Sequence, residues 1–164
     1  MHHLITGGSG FLGDLIARRL HERGERVRVL DVWEDPSRPP AIAFVQADVC
    51  DRPAVAKALE GIDIVHHTAA LVPLSKSGEL YWKVNVEGSR IVAEEAVRAG
   101  VRSFIHMSSS AVYGCPERCP IRCIQTRMAD SWAIPISMHM LRFTCGRRCR
   151  ISSLPSRTFT WDRI

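Results

Sequence analysis

The stretch Thr6-Gly7-Gly8-Ser9-Gly10-Phe11-Leu12-Gly13 constrains this chain of 164 residues more than any other. It follows the apolar pair Leu4-Ile5 and opens a segment in which Leu12, Leu15, Ile16 and Leu20 recur at helical spacing. The glycines therefore lie where a buried strand becomes an amphipathic helix. At such a junction Gly7 allows a sharp turn, Gly10 lets backbone N–H groups approach an anion, and Gly13 lets the helix pack on the sheet. The helix start presents unpaired N–H donors and the positive end of its dipole. A turn of this kind can hold a diphosphate.

Asp31 ends the run Arg26-Val27-Arg28-Val29-Leu30, eighteen residues after Gly13. A carboxylate at the end of a second strand can accept both hydroxyls of an adenosine ribose, and this spacing from the glycines is that of a dinucleotide site. Its charge repels the extra phosphate of NADP, and no Arg directly follows it. NAD is the expected cofactor, ahead of NADP.

Further along, residues 41–47 read as a third strand ending in Asp48-Val49. Asp51-Arg52-Pro53 reads as a helix start whose apolar face is Val55, Ala58 and Leu59, with Gly61 ending it. Residues 62–67 form a fourth strand that runs into Thr68-Ala69-Ala70. Residues 79–99 are helical, with Asn85 and Gly88 interrupting the pattern and Gly100 as the C-terminal cap. Residues 102–107 form a fifth strand before Ser108-Ser109-Ser110. This alternation predicts an α/β fold: a Rossmann-like, doubly wound parallel sheet in three layers, truncated after the fifth strand. In such sheets the ligand lies at the carboxyl ends of the strands, here Gly7, Asp31, Asp48, Ala69 and Ser109.

Charge divides the chain near Gly114. Before that point 13 Lys and Arg face 14 Asp and Glu; after it 9 Arg face 3 acids, and five of the six cysteines lie there. The expected domains are a dinucleotide-binding domain over 1–114 and an atypical Cys/Arg-rich tail over 115–164. No apolar run reaches the roughly 18 to 20 residues of a membrane span, and no secretory leader pattern opens the chain, so a cytoplasmic protein is expected. Cys115, Cys119 and Cys123, with Cys145 and Cys149, have a spacing that zinc permits. Adjacent Pro116 and Pro120 and the lack of a knuckle glycine argue against it, and no metal is expected. His66 and His67 alternate faces of a strand, so at most one faces the crevice. The tail arginines lack aromatic interleaving, and no nucleic acid is expected.

The glycine stretch, Asp48-Val49, His67-Thr68-Ala69-Ala70, Asn85-Val86-Glu87-Gly88-Ser89 and Ser108-Ser109-Ser110-Ala111-Val112-Tyr113-Gly114 resemble the extended short-chain dehydrogenase/reductase superfamily. The resemblance covers residues 1–114. Val112-Tyr113-Gly114 is similar to nucleotide-sugar epimerases and dehydratases, while His67-Thr68-Ala69-Ala70 leans towards the 3β-hydroxysteroid dehydrogenase branch. The resemblance implies that Phe11 and Leu12 belong to the cofactor turn. It implies that Asp48 and Val49 contact adenine by side chain and backbone, and that Thr68, Ala69 and Ala70 line the cofactor. Asn85 would help hold a catalytic lysine through water, and Ser109 would hydrogen-bond the oxygen of a small-molecule substrate. The resemblance also implies a homodimer.

One element of that pattern is missing. Free tyrosine, near pKa 10, is a poor base at neutral pH, and the family lowers its pKa with a lysine in Tyr-x-x-x-Lys. The only tyrosines here are Tyr81 and Tyr113, the only lysines Lys57, Lys76 and Lys83, and the residue four after Tyr113 is Glu117. The chain as it stands is expected to bind NAD without completing turnover. Two readings of the tail stay open: a frame displaced near Cys115 to Arg122, or a short protein that binds dinucleotide without catalysis.

Overall fold

The computed structural model describes residues 1–71, 78–108, 140–144, 150–152 and 158–159. The strands are β1 (His2–Thr6), β2 (Arg26–Asp31), β3 (Ala43–Gln46), β4 (Ile64–His67), β5 (Ser103–Met107), β6 (Met140–Thr144), β7 (Arg150–Ser152) and β8 (Thr158–Phe159). The helices are α1 (Phe11–Glu22), α2 (Arg52–Ala58), α3 (Gly78–Trp82) and α4 (Ser89–Arg98), with a π-helical turn over Lys83–Gly88 joining the last two.

One sheet runs β3-β2-β1-β4-β5-β6-β7-β8, and its first five strands are all parallel. The chain moves from β1 outward to β2 and β3, then returns to place β4 on the other side of β1. That reversal puts a crevice at the carboxyl ends of β1 and β4, where open α/β sheets bind ligands.

Both faces of the sheet are covered, which explains why the strands read as apolar runs and not as alternations. Leu4, Leu30 and Val65 point to one side and pack with Val55 of α2, with Leu59 just after it, and with Val92 and Ala96 of α4. Ile5, Val27 and Val29 point to the other and pack with Ala17 of α1 and with Ile42. Arg28, on the α2 side of β2, donates to the carbonyls of Ala58 (2.6 Å) and Glu60 (3.1 Å), closing orphan acceptors at the end of that helix. Asp51 caps α2 by accepting from the Ala54 N–H at 3.2 Å, with Pro53 in the first turn, as its sequence predicts.

The structure departs from the sequence expectation in three places. Strands three, four and five are trimmed at their ends to 43–46, 64–67 and 103–107. The helical stretch 79–99 is an α, π, α succession, and its wide turn falls on the Asn85 to Gly88 segment that breaks the apolar pattern. The sheet does not stop at the fifth strand: β6 runs antiparallel along β5 from Ser103↔Thr144 to Met107↔Met140, and β7 and β8 continue outward. Strands of five, three and two residues are too short to display a period, so the tail reads as patternless. Pairing satisfies the backbone edge that a five-stranded sheet would leave open at β5. The boundary near Gly114 lies outside the described residues. Among those residues no helix is long and apolar enough to cross a membrane.

Candidate functional site

The glycine turn is held by backbone contacts. Gly7 has φ +71° and donates its N–H to the Leu30 carbonyl at 2.9 Å, tying the end of β1 to β2. A Cβ on Gly7 would lie 2.6 Å from both the Cα and the N of Ala69, and a Cβ on Gly13 would overlap the Gly7 carbonyl oxygen. Both positions demand glycine because backbone occupies the space. Gly8, which sequence reasoning leaves without a role, is pressed against Val29 of β2.

Gly10 differs. Its nearest obstacle is the Gly7 oxygen, at 3.3 Å from a Cβ, and it is exposed. It occupies the N-cap of α1 with no side-chain cap. The first-turn N–H groups of a helix have no intrahelical acceptor, so an uncapped start beside an exposed glycine can seat an anion. Phe11 stands 91% exposed at that helix start, and Leu12 is half-buried behind it.

Asp31 flanks this seat on the β2 side. Its Oδ2 accepts from the Ser9 N–H at 2.9 Å and its Oδ1 from the Val32 N–H at 2.7 Å. The Ser9 hydroxyl donates to the Trp33 carbonyl at 2.7 Å. The carboxylate is thus oriented by the turn that would hold the diphosphate, with lone pairs left for two hydroxyls. Asp48 lies exposed beyond β3, its Oδ1 accepting from the Cys50 N–H at 2.9 Å. The Val49 side chain is buried, and a Cβ on Gly88 would come within 2.6 Å of it. Only the backbone of Val49 is available to a ligand.

On the β4 side, Thr68 returns to β1, its N–H (3.1 Å) and its hydroxyl (2.7 Å) both donating to the Thr6 carbonyl. Ala69 abuts Gly7, Ala70 is exposed, and Leu71 is gripped by Asn85. The Asn85 Oδ1 accepts from the Leu71 N–H at 2.8 Å, and its Nδ2 donates to the Leu71 carbonyl at 2.9 Å. The glycine turn, Asp31, Thr68, Ala69 and Ala70 therefore lie at the carboxyl ends of β1, β2 and β4, with Asn85 tied to the residue that follows Ala70 and with Asp48 and Val49 just beyond β3. Ser109, Tyr113 and the tail cysteines lie outside the described residues.

Sequence reasoning missed the hydrogen-bonded line beneath this crevice. His67 is 1% exposed; its Nδ1 is 2.7 Å from the Thr6 hydroxyl and its Nε2 2.8 Å from the Ser89 hydroxyl. Ser89 in turn donates to the Asn85 carbonyl at 2.7 Å. Because the single Ser89 proton is used on Asn85, His67 must donate from Nε2 and accept at Nδ1. Burial holds this histidine neutral, its pKa lowered to about 3, with His106 stacked beside it as a lesser cause. His66 points to the opposite face, 3.0 Å from His3 Nδ1, and is lowered to about 4, first by burial and then by His3. Alternation of the two histidines was the available signal; the partners, 61 and 22 residues away, were not. Among the described residues no group of three His, Cys, Asp or Glu is placed to hold a metal.

The model of the NAD dependent epimerase/dehydratase family matches residues 3–133, which includes every element around the crevice. The chain belongs to that family. It is 37% identical over 108 residues to the mouse sterol-4-alpha-carboxylate 3-dehydrogenase, decarboxylating, covering 66% of this chain and 30% of that one. It is 35% identical over 128 residues to the UDP-glucose 4-epimerase of Streptomyces lividans, covering 73% and 39%. The crystal structure of UDP-glucose-4-epimerase from Stenotrophomonas maltophila, with bound NAD and formylated UDP-arabinopyranose, superposes with a TM-score of 0.66 at 33% identity, covering 74% of this chain and 40% of that one. The chain thus spans between three and four tenths of the length of these family members.

Proposed function

We propose that residues 1–114 form the NAD-binding portion of an oxidoreductase or epimerase that acts on a secondary alcohol of the nucleotide-sugar type, and that this chain alone completes no turnover. The observation that carries the reading is the uncapped α1 start at Gly10 with Asp31 anchored beside it through Ser9. The diphosphate would lie on the first turn of α1, the adenosine ribose on Asp31, and adenine beside Asp48 and the Val49 backbone. Bound NAD supplies a hydride acceptor. Around it, Thr68, Ala69 and Ala70 form a wall of small side chains, and Ser109 orients the alcohol. No Tyr-x-x-x-Lys pair is present to take the alcohol proton, which supports the reading of inactivity. The division near Gly114, a cytoplasmic location and a homodimer belong to the same proposal.

A 3β-hydroxysteroid dehydrogenase-like substrate is the second reading, favoured by His67-Thr68-Ala69-Ala70 and by the 37% identity to a mouse 3 beta-hydroxysteroid dehydrogenase type 7 over 123 residues. A non-catalytic NAD sensor is the third. Titration calorimetry of the purified chain with NAD, NADP and ADP tests the shared core of all three. NAD and ADP should bind, NADP more weakly, and Asp31→Ala should weaken NAD by about tenfold to a hundredfold, the worth of hydrogen bonds to a charged group. Failure of both NAD and ADP to bind refutes the reading. Formation of NADH from a UDP-sugar or a 3β-hydroxysteroid would refute inactivity and remove the sensor.

A further inference from the structure

The chain carries a continuous polar line that neither the diphosphate seat nor the ribose carboxylate uses: Thr6 hydroxyl, His67 ring, Ser89 hydroxyl, Asn85 carbonyl, and from the Asn85 side chain to both backbone groups of Leu71. Every link is between 2.7 and 2.9 Å. Its proton order is determined, since Ser89 spends its proton on Asn85 and His67 must supply one to Ser89. The line connects four elements: β1 at Thr6, β4 at His67, the start of α4 at Ser89 and the π-helical turn at Asn85. Its last member, Leu71, immediately follows Thr68, Ala69 and Ala70.

The sheet order says what that wall meets. With the diphosphate at β1 and the adenosine ribose at β2, the remaining half of the dinucleotide must cross to the β4 side. The wall at residues 68–71 is held by β1 at Thr68 and by Asn85 at Leu71. Asn85 is itself in a π-helical turn, a geometry less favourable than the α-helix that persists where surrounding contacts hold it. Ser89 is the residue that binds the Asn85 carbonyl from the next turn, and His67 is what orients Ser89.

We propose that His67 is a positioning residue, which through Ser89 fixes Asn85 and through Asn85 fixes the Leu71 backbone, at the wall that receives the nicotinamide half of the cofactor. The proposal rests on the dinucleotide reading above. It makes the two nitrogens of His67 unequal in function: the Nε2 donor governs the wall, while the Nδ1 acceptor only joins β4 to β1.

The test uses the intact chain and two probes, NAD and ADP, the second lacking the nicotinamide half. His67→Gln keeps a donor near the Nε2 position and His67→Asn keeps an acceptor near the Nδ1 position; Ser89→Ala removes the middle of the line. Ser89→Ala and His67→Asn should weaken NAD about tenfold and ADP less than about twofold, with His67→Gln within about threefold of wild type for both. A merely structural histidine would lower NAD and ADP together, or make the Gln and Asn variants alike, and either result overturns the proposal. Hydrogen exchange of the Leu71 amide in Ser89→Ala gives a readout without ligand. Faster exchange at Leu71 with core amides such as Val65 unchanged supports the line, and unchanged Leu71 exchange overturns it. If wild type binds neither probe while Leu71 responds to Ser89→Ala, the dinucleotide reading fails and the mechanical coupling is upheld.

Discussion

The two sides of the crevice are built from different materials. On the β1–β2 side the shape is set by backbone lying against backbone: Gly7 on Ala69, Gly13 on Gly7, and the Gly7 N–H on the Leu30 carbonyl. On the β4 side it is set by side chains, with Thr6, His67, Ser89 and Asn85 handing hydrogen bonds from one element to the next. Backbone sterics admit one residue type and tolerate no substitute, whereas a hydrogen-bonded line can be loosened one link at a time. Substitution should therefore act abruptly on the first side and by degrees on the second.

The largest effect is expected at the glycines in backbone contact. In Gly13→Ala the new Cβ meets the Gly7 carbonyl, which is itself pinned between α1 and β1. Gly7→Ala adds a strained φ of +71° to an overlap with the Ala69 backbone. Each should cost on the order of 3 kcal/mol or more, the range of severe overpacking and backbone strain combined, and should abolish NAD binding. Urea unfolding alongside calorimetry checks both. A Gly13→Ala protein that keeps its stability and its NAD affinity would break the comparison.

An intermediate effect is expected from acid. The neutral form of His67 is preferred in the fold, where its pKa falls to about 3, below the ordinary value of 6.5. The unfolded chain thus binds a proton that the folded chain refuses as pH falls below 6.5. This contribution to stability is fully present above about pH 6.5 and is lost progressively between there and pH 3, at about 1.4 kcal/mol per pH unit. His67→Gln removes this proton from the balance. The difference in unfolding free energy between wild type and His67→Gln should therefore shrink steadily from pH 6 to pH 4, at that slope. A difference independent of pH would show that His67 is as easily protonated in the fold as outside it.

This division also explains which parts were readable. The glycine turn, Asp31 and the strand–helix alternation are encoded locally, each within a few residues, and the structure places them on one rim as their order predicts. Asn85 marked itself only as a break in a helical pattern; the break is the π-helical turn that aims its amide at Leu71. The line through His67 joins positions 61 and 22 residues apart, and nothing in either neighbourhood names the partner. The antiparallel strands beyond β5 were equally hidden, because three short strands carry pairing information in their backbone and almost none in their composition.

The smallest effect sharpens the contrast most, because it separates dihedral strain from crowding. Gly24 has φ +78°, nearly that of Gly7, yet a Cβ there would meet nothing within 4 Å. It follows the end of α1, where its N–H donates to the His21 carbonyl at 2.9 Å. Gly24→Ala therefore bears the left-handed strain alone, roughly 1 to 2 kcal/mol, offset in part by the freedom an alanine removes from the unfolded chain. A net loss of about 1 kcal/mol is expected in urea unfolding, with NAD affinity unchanged because Gly24 lies at the far end of the helix whose start is proposed to hold the diphosphate. If Gly24→Ala and Gly7→Ala destabilise equally, then φ and not the Ala69 backbone is what requires glycine in the turn. A much larger loss at Gly7 assigns the excess to the contact between the ends of β1 and β4, which is where the backbone side of the crevice meets the side-chain side.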